Sequence, residues 1–228
     1  MESHVTTLRE RYKGALHDGR FEASVLAGVI LLGASLIFNY FAAIYATERA
    51  SGAVADIVLS NIPVFDVDWI FVMGPFVFII ILAGIVLWHP KSLPFALKSI
   101  ATFVVVRSTF IMLTHIGPFP DHNIIDGNTL VLLNSLSISP NFFLFSTGAD
   151  LFFSGHTGLP FMLALVFWKH RLIRFFCLAS SVFFGIIVLL GHLHYSIDVA
   201  SAFFISFTIF VIATKLFPGD WQRLLAAF

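Results

Sequence analysis

The chain has 228 residues, 58% of them hydrophobic and 11% charged, with a formal net charge of zero at pH 7. Its mean hydropathy of +0.94 excludes an ordinary soluble globular domain, and nothing in its charge points to a nucleic-acid binder. The single cysteine, Cys177, lies in an apolar stretch and excludes an internal disulfide or a cysteine-based metal cluster.

The chain opens on MESHVTTLRERYKGALHDGR, polar and basic before any apolar run begins. That is unlike a cleavable signal peptide, so the first span is expected to stay in the mature protein. Six apolar runs follow, near 23–46, 69–88, 95–116, 151–168, 174–191 and 197–216. Each approaches the roughly 20 residues a helix needs to cross the hydrocarbon, and none has the period-2 alternation of a barrel strand. The expected fold is all-α: a polytopic membrane protein built as a six-transmembrane-helix bundle. One domain is expected over 1–228, with an N-terminal segment at 1–22, the helical core at 23–216 and a tail at 217–228, because no internal repeat or second polar block interrupts it.

Charge then orients the bundle. Arg9, Arg11, Lys13 and Arg20 precede the first run, Lys91 and Lys98 fall between the second and third, Lys169, Arg171 and Arg174 between the fourth and fifth, and Lys215 and Arg223 at the end. These are eleven of the 13 basic residues, whereas the opposite loops carry Glu48, Asp56, Asp66, Asp68, Asp121, Asp126 and Asp150 with only Arg49 against them. The positive-inside rule predicts cytoplasmic termini and extracytoplasmic or lumenal acidic loops.

Arg107 lies deep within the third run, and Asp198 stands at the head of the sixth. Buried intramembrane charge is costly and usually faces a polar cavity or a partner. Arg107 is predicted in the middle to outer half of the third span, with His156 opening the fourth and His194 and Asp198 opening the sixth, so all four converge on one level. In GHLHYSIDV, from Gly191 to Val199, His194 and Asp198 stand at i, i+4, a spacing that would put them on one helix face. A carboxylate there fixes the imidazole tautomer and leaves the other ring nitrogen as base or nucleophile. In SGHTGLP, Ser154 or Thr157 can cap a helix, and Gly155 lets backbone approach a ligand. Helix N-terminal N–H groups with Arg107 would suit a phosphoryl group, with His156 as the acid on the leaving oxygen. Each piece also has a plainer reading: an interfacial histidine, a Ser-Gly packing pair, a buried ion pair. It is their conjunction that points to phosphoryl transfer.

At these residues the chain resembles the type 2 phosphatidic acid phosphatase superfamily, and more closely its sphingomyelin synthase branch. SGHT at Ser154–Thr157, preceded four residues earlier by Asp150, is similar to the branch's motif; so are HLHYSIDV at His192–Val199, with Ser196 in place of a threonine, and RSTFIMLTHIGPFPD at Arg107–Asp121. The phosphatases of the superfamily carry a Lys-x6-Arg-Pro motif that is missing here, and Val188 stands where they have an arginine. The resemblance implies a nucleophilic His194 that forms a phosphohistidine, Asp198 orienting it and His156 protonating the departing lipid alcohol. Arg107, Asp150, Ser154, Gly155, Thr157, His192 and Asp121 are the candidate substrate-binding residues, and no metal or other cofactor is expected. The implied substrates are a glycerophospholipid and a lipid alcohol such as ceramide or diacylglycerol. With water as acceptor, the same residues would make a lipid phosphatase or phospholipase C. A transporter or non-catalytic bundle fits less well, since the polar groups gather at one interface and no inverted repeat is visible.

Overall fold

The computed structural model describes residue 12 and residues 19–120 and 151–227. Asp121, Asp126 and Asp150 lie outside the described residues. The described secondary structure is helical: α1 (Gly19–Glu48), α2 (Asp68–Trp88), α3 (Leu93–Leu113), α4 (Gly155–Val166), α5 (Arg171–Leu190), α6 (Ser196–Leu216) and α7 (Pro218–Leu225), with short 3₁₀ turns at Leu59–Asn61 and Pro90–Ser92. Long apolar runs become helices because hydrocarbon offers their backbone no other hydrogen-bond partner.

Five of these helices are long and apolar enough to span a membrane, and the fourth expected span is not one of them. α4 has only 12 residues. At 1.5 Å per residue that is roughly 18 Å, well short of the ~30 Å hydrocarbon core. Residues 151–154 turn instead of continuing the helix. α4 starts where the Ser154 side chain accepts the Thr157 N–H at 3.4 Å. Hydropathy alone does not separate a short buried helix from a span. α4 is buried almost throughout, packed against α5 and α6 with α3 alongside.

α1 packs along α3, and α2 touches α5 and α3. Between helices in lipid there is little hydrophobic drive, so close packing of small side chains carries association. The inward stripe of α6 is of that kind, with Ala202, Ser206 and Ala213 buried around Ile209. Around α4 the core fills with Phe95, Phe103, Phe153, Met162, Leu163, Phe167 and Phe184.

The helices alternate in direction, so the C-terminal ends of α1, α3 and α5 and the N-terminal ends of α2, α4 and α6 meet at one end. The other end holds a correction to the loop reading of Lys98. It lies in the second turn of α3, buried, with Nζ 2.6 Å from Asp220 Oδ2 and 2.7 Å from Ser24 Oγ. Arg223 Nη1 donates to the other Asp220 oxygen at 2.9 Å. Residues 218–225, expected as a plain tail, thus form a helix docked on the bundle, with Trp221 against Phe95 and Phe210.

Candidate active site

The end where α2, α4 and α6 begin gathers the residues singled out from sequence. α5 stops in a Schellman-type turn: His192 N–H donates to Leu189 O (3.1 Å) and Leu193 N–H to Val188 O (2.8 Å). Such a turn needs a left-handed residue, normally glycine, and His192 occupies it at φ 52°. The turn throws the chain back so that His194 precedes α6 instead of lying on it. The i, i+4 helix-face expectation is therefore corrected: α6 begins at Ser196, and the pair forms because Asp198, at the third helical position, reaches back past the helix start. Its Oδ2 accepts the Tyr195 N–H at 2.9 Å and lies 3.4 Å from His194 Nδ1. An imidazole nitrogen facing a carboxylate oxygen is the donor, so this contact selects the Nδ1–H tautomer and leaves Nε2 with its lone pair. Both residues are buried, Asp198 completely.

α4 is joined to this corner by its own backbone, with Ser154 N–H donating to Asp198 O at 3.2 Å. One residue into α4, the His156 ring lies 6.5 Å from the His194 ring, centroid to centroid. Phe71 stacks on His156 at 4.3 Å, and Phe184 meets its edge at 6.2 Å. His156 Nε2 lies 3.3 Å from Phe71 O, a contact in which the nitrogen must donate. That carbonyl is open to it for a sequence reason: its helical partner would be the N–H of residue 75, which is Pro75 and has none. The Nε2–H tautomer leaves His156 Nδ1 to face elsewhere.

Arg107 crosses the start of α4. Its Nε donates to Phe153 O at 3.0 Å, and a Cβ added at Gly155 would stand 3.1 Å from that nitrogen. Glycine at 155 therefore lets the guanidinium lie against the first turn of α4, where positive charge and helix N–H groups add. Ser154 is the cap. Thr157 is not: its hydroxyl is buried without a hydrogen-bond partner among the described residues, facing the position of a Gly185 side chain. His192 is buried edge-on to Phe119 at 5.3 Å.

Sequence reasoning passed over two residues here. Asp56 is buried between loops, its Oδ2 accepting the Ser196 N–H at 2.7 Å and its Oδ1 those of Val58 and Leu59 at 2.8 and 3.1 Å. Burial pushes its carboxyl upward, but these backbone donors outweigh that and hold it below the usual range. It caps α6 from outside, as Asp198 does from inside. No spacing marked Asp56 among the loop acids. Tyr195 is fully buried, donates to Gly117 O at 2.8 Å and accepts the Val54 N–H at 3.2 Å, tying three loops together. Pro75, interrupting an otherwise uniform apolar run, was the visible signal for the His156 contact.

Residues 147–215 match the family model described as PAP2 superfamily, C-terminal. The match supports the PAP2 superfamily for this chain, and with it an enzyme of lipid phosphatase or phosphotransferase type. It takes in the Ser154–Thr157 and His192–Val199 motifs but neither Arg107 nor Pro75, which join the PAP2 segment only through the fold. No characterised protein and no solved structure matches the chain significantly.

Proposed function

We propose that the protein is a membrane phosphotransferase, similar to sphingomyelin synthases, that moves a phospho-headgroup from a glycerophospholipid to a lipid alcohol such as ceramide or diacylglycerol. His194 Nε2 attacks the phosphorus, and the P–O bond to the diacylglycerol breaks as His156, in its imidazolium form with Nε2–H held by Phe71 O, gives its Nδ1 proton to the leaving oxygen. The acceptor hydroxyl then attacks the phosphohistidine, its proton goes to His156, and the N–P bond breaks. Arg107 and the first turn of α4 stabilise the charge spread over the equatorial oxygens.

The observation that carries this reading is the pair of imidazoles 6.5 Å apart, one backed by Asp198 and the other held by Phe71 O. In-line transfer needs a nucleophile on one side of phosphorus and a proton donor beside the leaving oxygen on the other, and two imidazoles in one corner can take those two places. Buried among Leu193, Tyr195 and Phe119, the corner favours a positioned lipid hydroxyl over water.

The test is reconstituted protein given a headgroup-labelled phospholipid and titrated with ceramide or diacylglycerol. New labelled lipid should outpace soluble phosphate ester, His194→Ala should lose the acid-labile phosphoenzyme, and His156→Ala should keep it with an activated leaving group. Steady soluble product with every acceptor would assign the site to hydrolysis, as a phosphatase or phospholipase C. Full turnover by His194→Ala would end the proposal. The site is proposed to face the extracytoplasmic or lumenal side. A cysteine at Ile57 should then react with an impermeant maleimide outside intact cells and one at Lys169 should not, both in a Cys177→Ala background.

A further inference from the structure

Between α2 and α5 lies a cavity of about 370 Å³ with a mostly apolar lining that includes Trp69, Ile70, Val77, Ile81, Phe183 and Phe184. Both walls belong to helices of membrane-spanning length, and several lining side chains are open to the outside: Trp69 is 59% exposed, Val77 55% and Phe183 49%. In a membrane these surfaces face hydrocarbon, so a hydrocarbon chain is the occupant they accept.

Length and continuity with the histidine corner mark this groove off from ordinary lipid-facing surface. From Trp69 to Ile81 it runs 12 residues along α2. At 1.5 Å per residue that is roughly 18 Å, close to half of the ~30 Å hydrocarbon core and thus about one leaflet. It starts at the level of the histidines. Its inner wall is Phe184, which is 4% exposed and whose ring meets His156 edge-on. Phe184 fits there because of Gly74, where an added Cβ would come within 2.5 Å of the ring. One aromatic side chain therefore separates the cavity from the proposed proton donor. A larger hollow of about 580 Å³, lined by Trp88, His89 and His170, opens at the opposite end of the same seam, remote from the histidine pair.

We propose that the α2–α5 cavity seats one acyl chain of the lipid substrate while its phosphate lies between His156 and His194, with Phe184 as the partition between chain and reacting centre. The assignment rests on the reading of the site as a lipid headgroup transferase and adds a determinant of chain length to it.

Val77→Trp fills the cavity from an exposed, lipid-facing position, and Ile30→Trp makes the same change on α1, away from the seam. Reconstituted full-length variants are assayed with a long-chain phospholipid and with a short-chain, water-soluble analogue carrying the same headgroup. Val77→Trp should lower kcat/KM for the long-chain substrate by about tenfold or more, the range expected when a hydrophobic pocket loses its fit, and leave the short-chain analogue within about twofold. Ile30→Trp should change neither. Equal effects on both substrates, or none, would overturn the proposal.

A second measurement needs no turnover. A phospholipid with a photoreactive group in its chain is cross-linked to wild-type protein in vesicles and mapped by mass spectrometry. Labelling should concentrate on 69–81 and 176–184, fall with excess unlabelled phospholipid, and be lost in Val77→Trp. Labelling spread over all lipid-facing helices in proportion to exposure would overturn the cavity assignment even if headgroup transfer proceeds. Concentrated labelling without transfer activity would support the cavity and count against the transferase reading.

Discussion

Asp198→Asn isolates the charge of the carboxylate from its geometry. Oδ2 carries both known contacts, the Tyr195 N–H at 2.9 Å and His194 Nδ1 at 3.4 Å, whereas the buried Oδ1 has no partner among the described residues. An asparagine with its oxygen in the Oδ2 position keeps both contacts and puts its NH₂ where Oδ1 was. In the proposed mechanism the ring becomes cationic as His194 Nε2 bonds to phosphorus, and the wild-type carboxylate would stabilise that charge. At 3.4 Å the Coulomb attraction is about 1 kcal/mol at ε ≈ 80 and about 5 kcal/mol at ε ≈ 20. Both groups are buried, which favours the upper half of that range, so transfer to His194 should slow by roughly 10² to 10³ at 1.36 kcal/mol per decade. The stranded NH₂ adds about 1–3 kcal/mol of destabilisation. The assay is single-turnover formation of the labelled phosphoenzyme, with thermal unfolding measured on the same sample. A variant that remains folded yet forms phosphoenzyme at the wild-type rate would refute the claim that Asp198 acts electrostatically on His194.

Pro75→Ala supplies the missing N–H to Phe71 O, which then competes with His156. Stability should hold or rise, since the alanine restores an intrahelical hydrogen bond that proline removes, while turnover of natural lipid should fall more than turnover of an activated ester; equal effects on both would show that the carbonyl does not matter to proton transfer. His192→Gly relieves the left-handed backbone by about 1 kcal/mol but empties the buried space beside Phe119, so Tm should change little; lost activity in a variant that stays folded would mark the imidazole as a substrate ligand. Lys98→Met leaves Asp220 with only Ser24 and Arg223 and should cost up to about 3–5 kcal/mol, whereas Lys98→Met with Asp220→Leu should recover much of it; proteolysis of α7 reads the difference, and equal damage in single and double variants would deny the pair this role. Asp56, with its carboxyl held below the usual range, stabilises the fold above its unfolded value of about 3.9 and loses that contribution as pH falls through its folded value. Wild type should therefore exceed Asp56→Asn in Tm at neutral pH and converge with it below about pH 4.

Length and hydropathy in the sequence were enough to establish a helical membrane protein, because twenty apolar residues in hydrocarbon have one way to satisfy their backbone. Motif spacing likewise brought forward His156, His194, Asp198 and Arg107 as candidates, and the structure gathers these four at one end of the bundle. The tertiary structure decided what depends on neighbours remote in the chain. α4 is a buried helix shorter than the other five apolar helices, and its length is set by the Ser154 cap and the helices around it and not by apolarity. His194 meets Asp198 through a reversing turn, because His192 takes a conformation that composition does not announce. Lys98 looked like a loop charge and became half of a buried pair, because Asp220 is 122 residues away and only docking of α7 brings it near. The same holds for Phe71 and Pro75: the free carbonyl follows from local sequence, but its use by His156 requires α2 and α4 to lie side by side. Periodicity and spacing act along one helix, whereas the contacts that orient these side chains run between helices, where distance in sequence carries no information about distance in space.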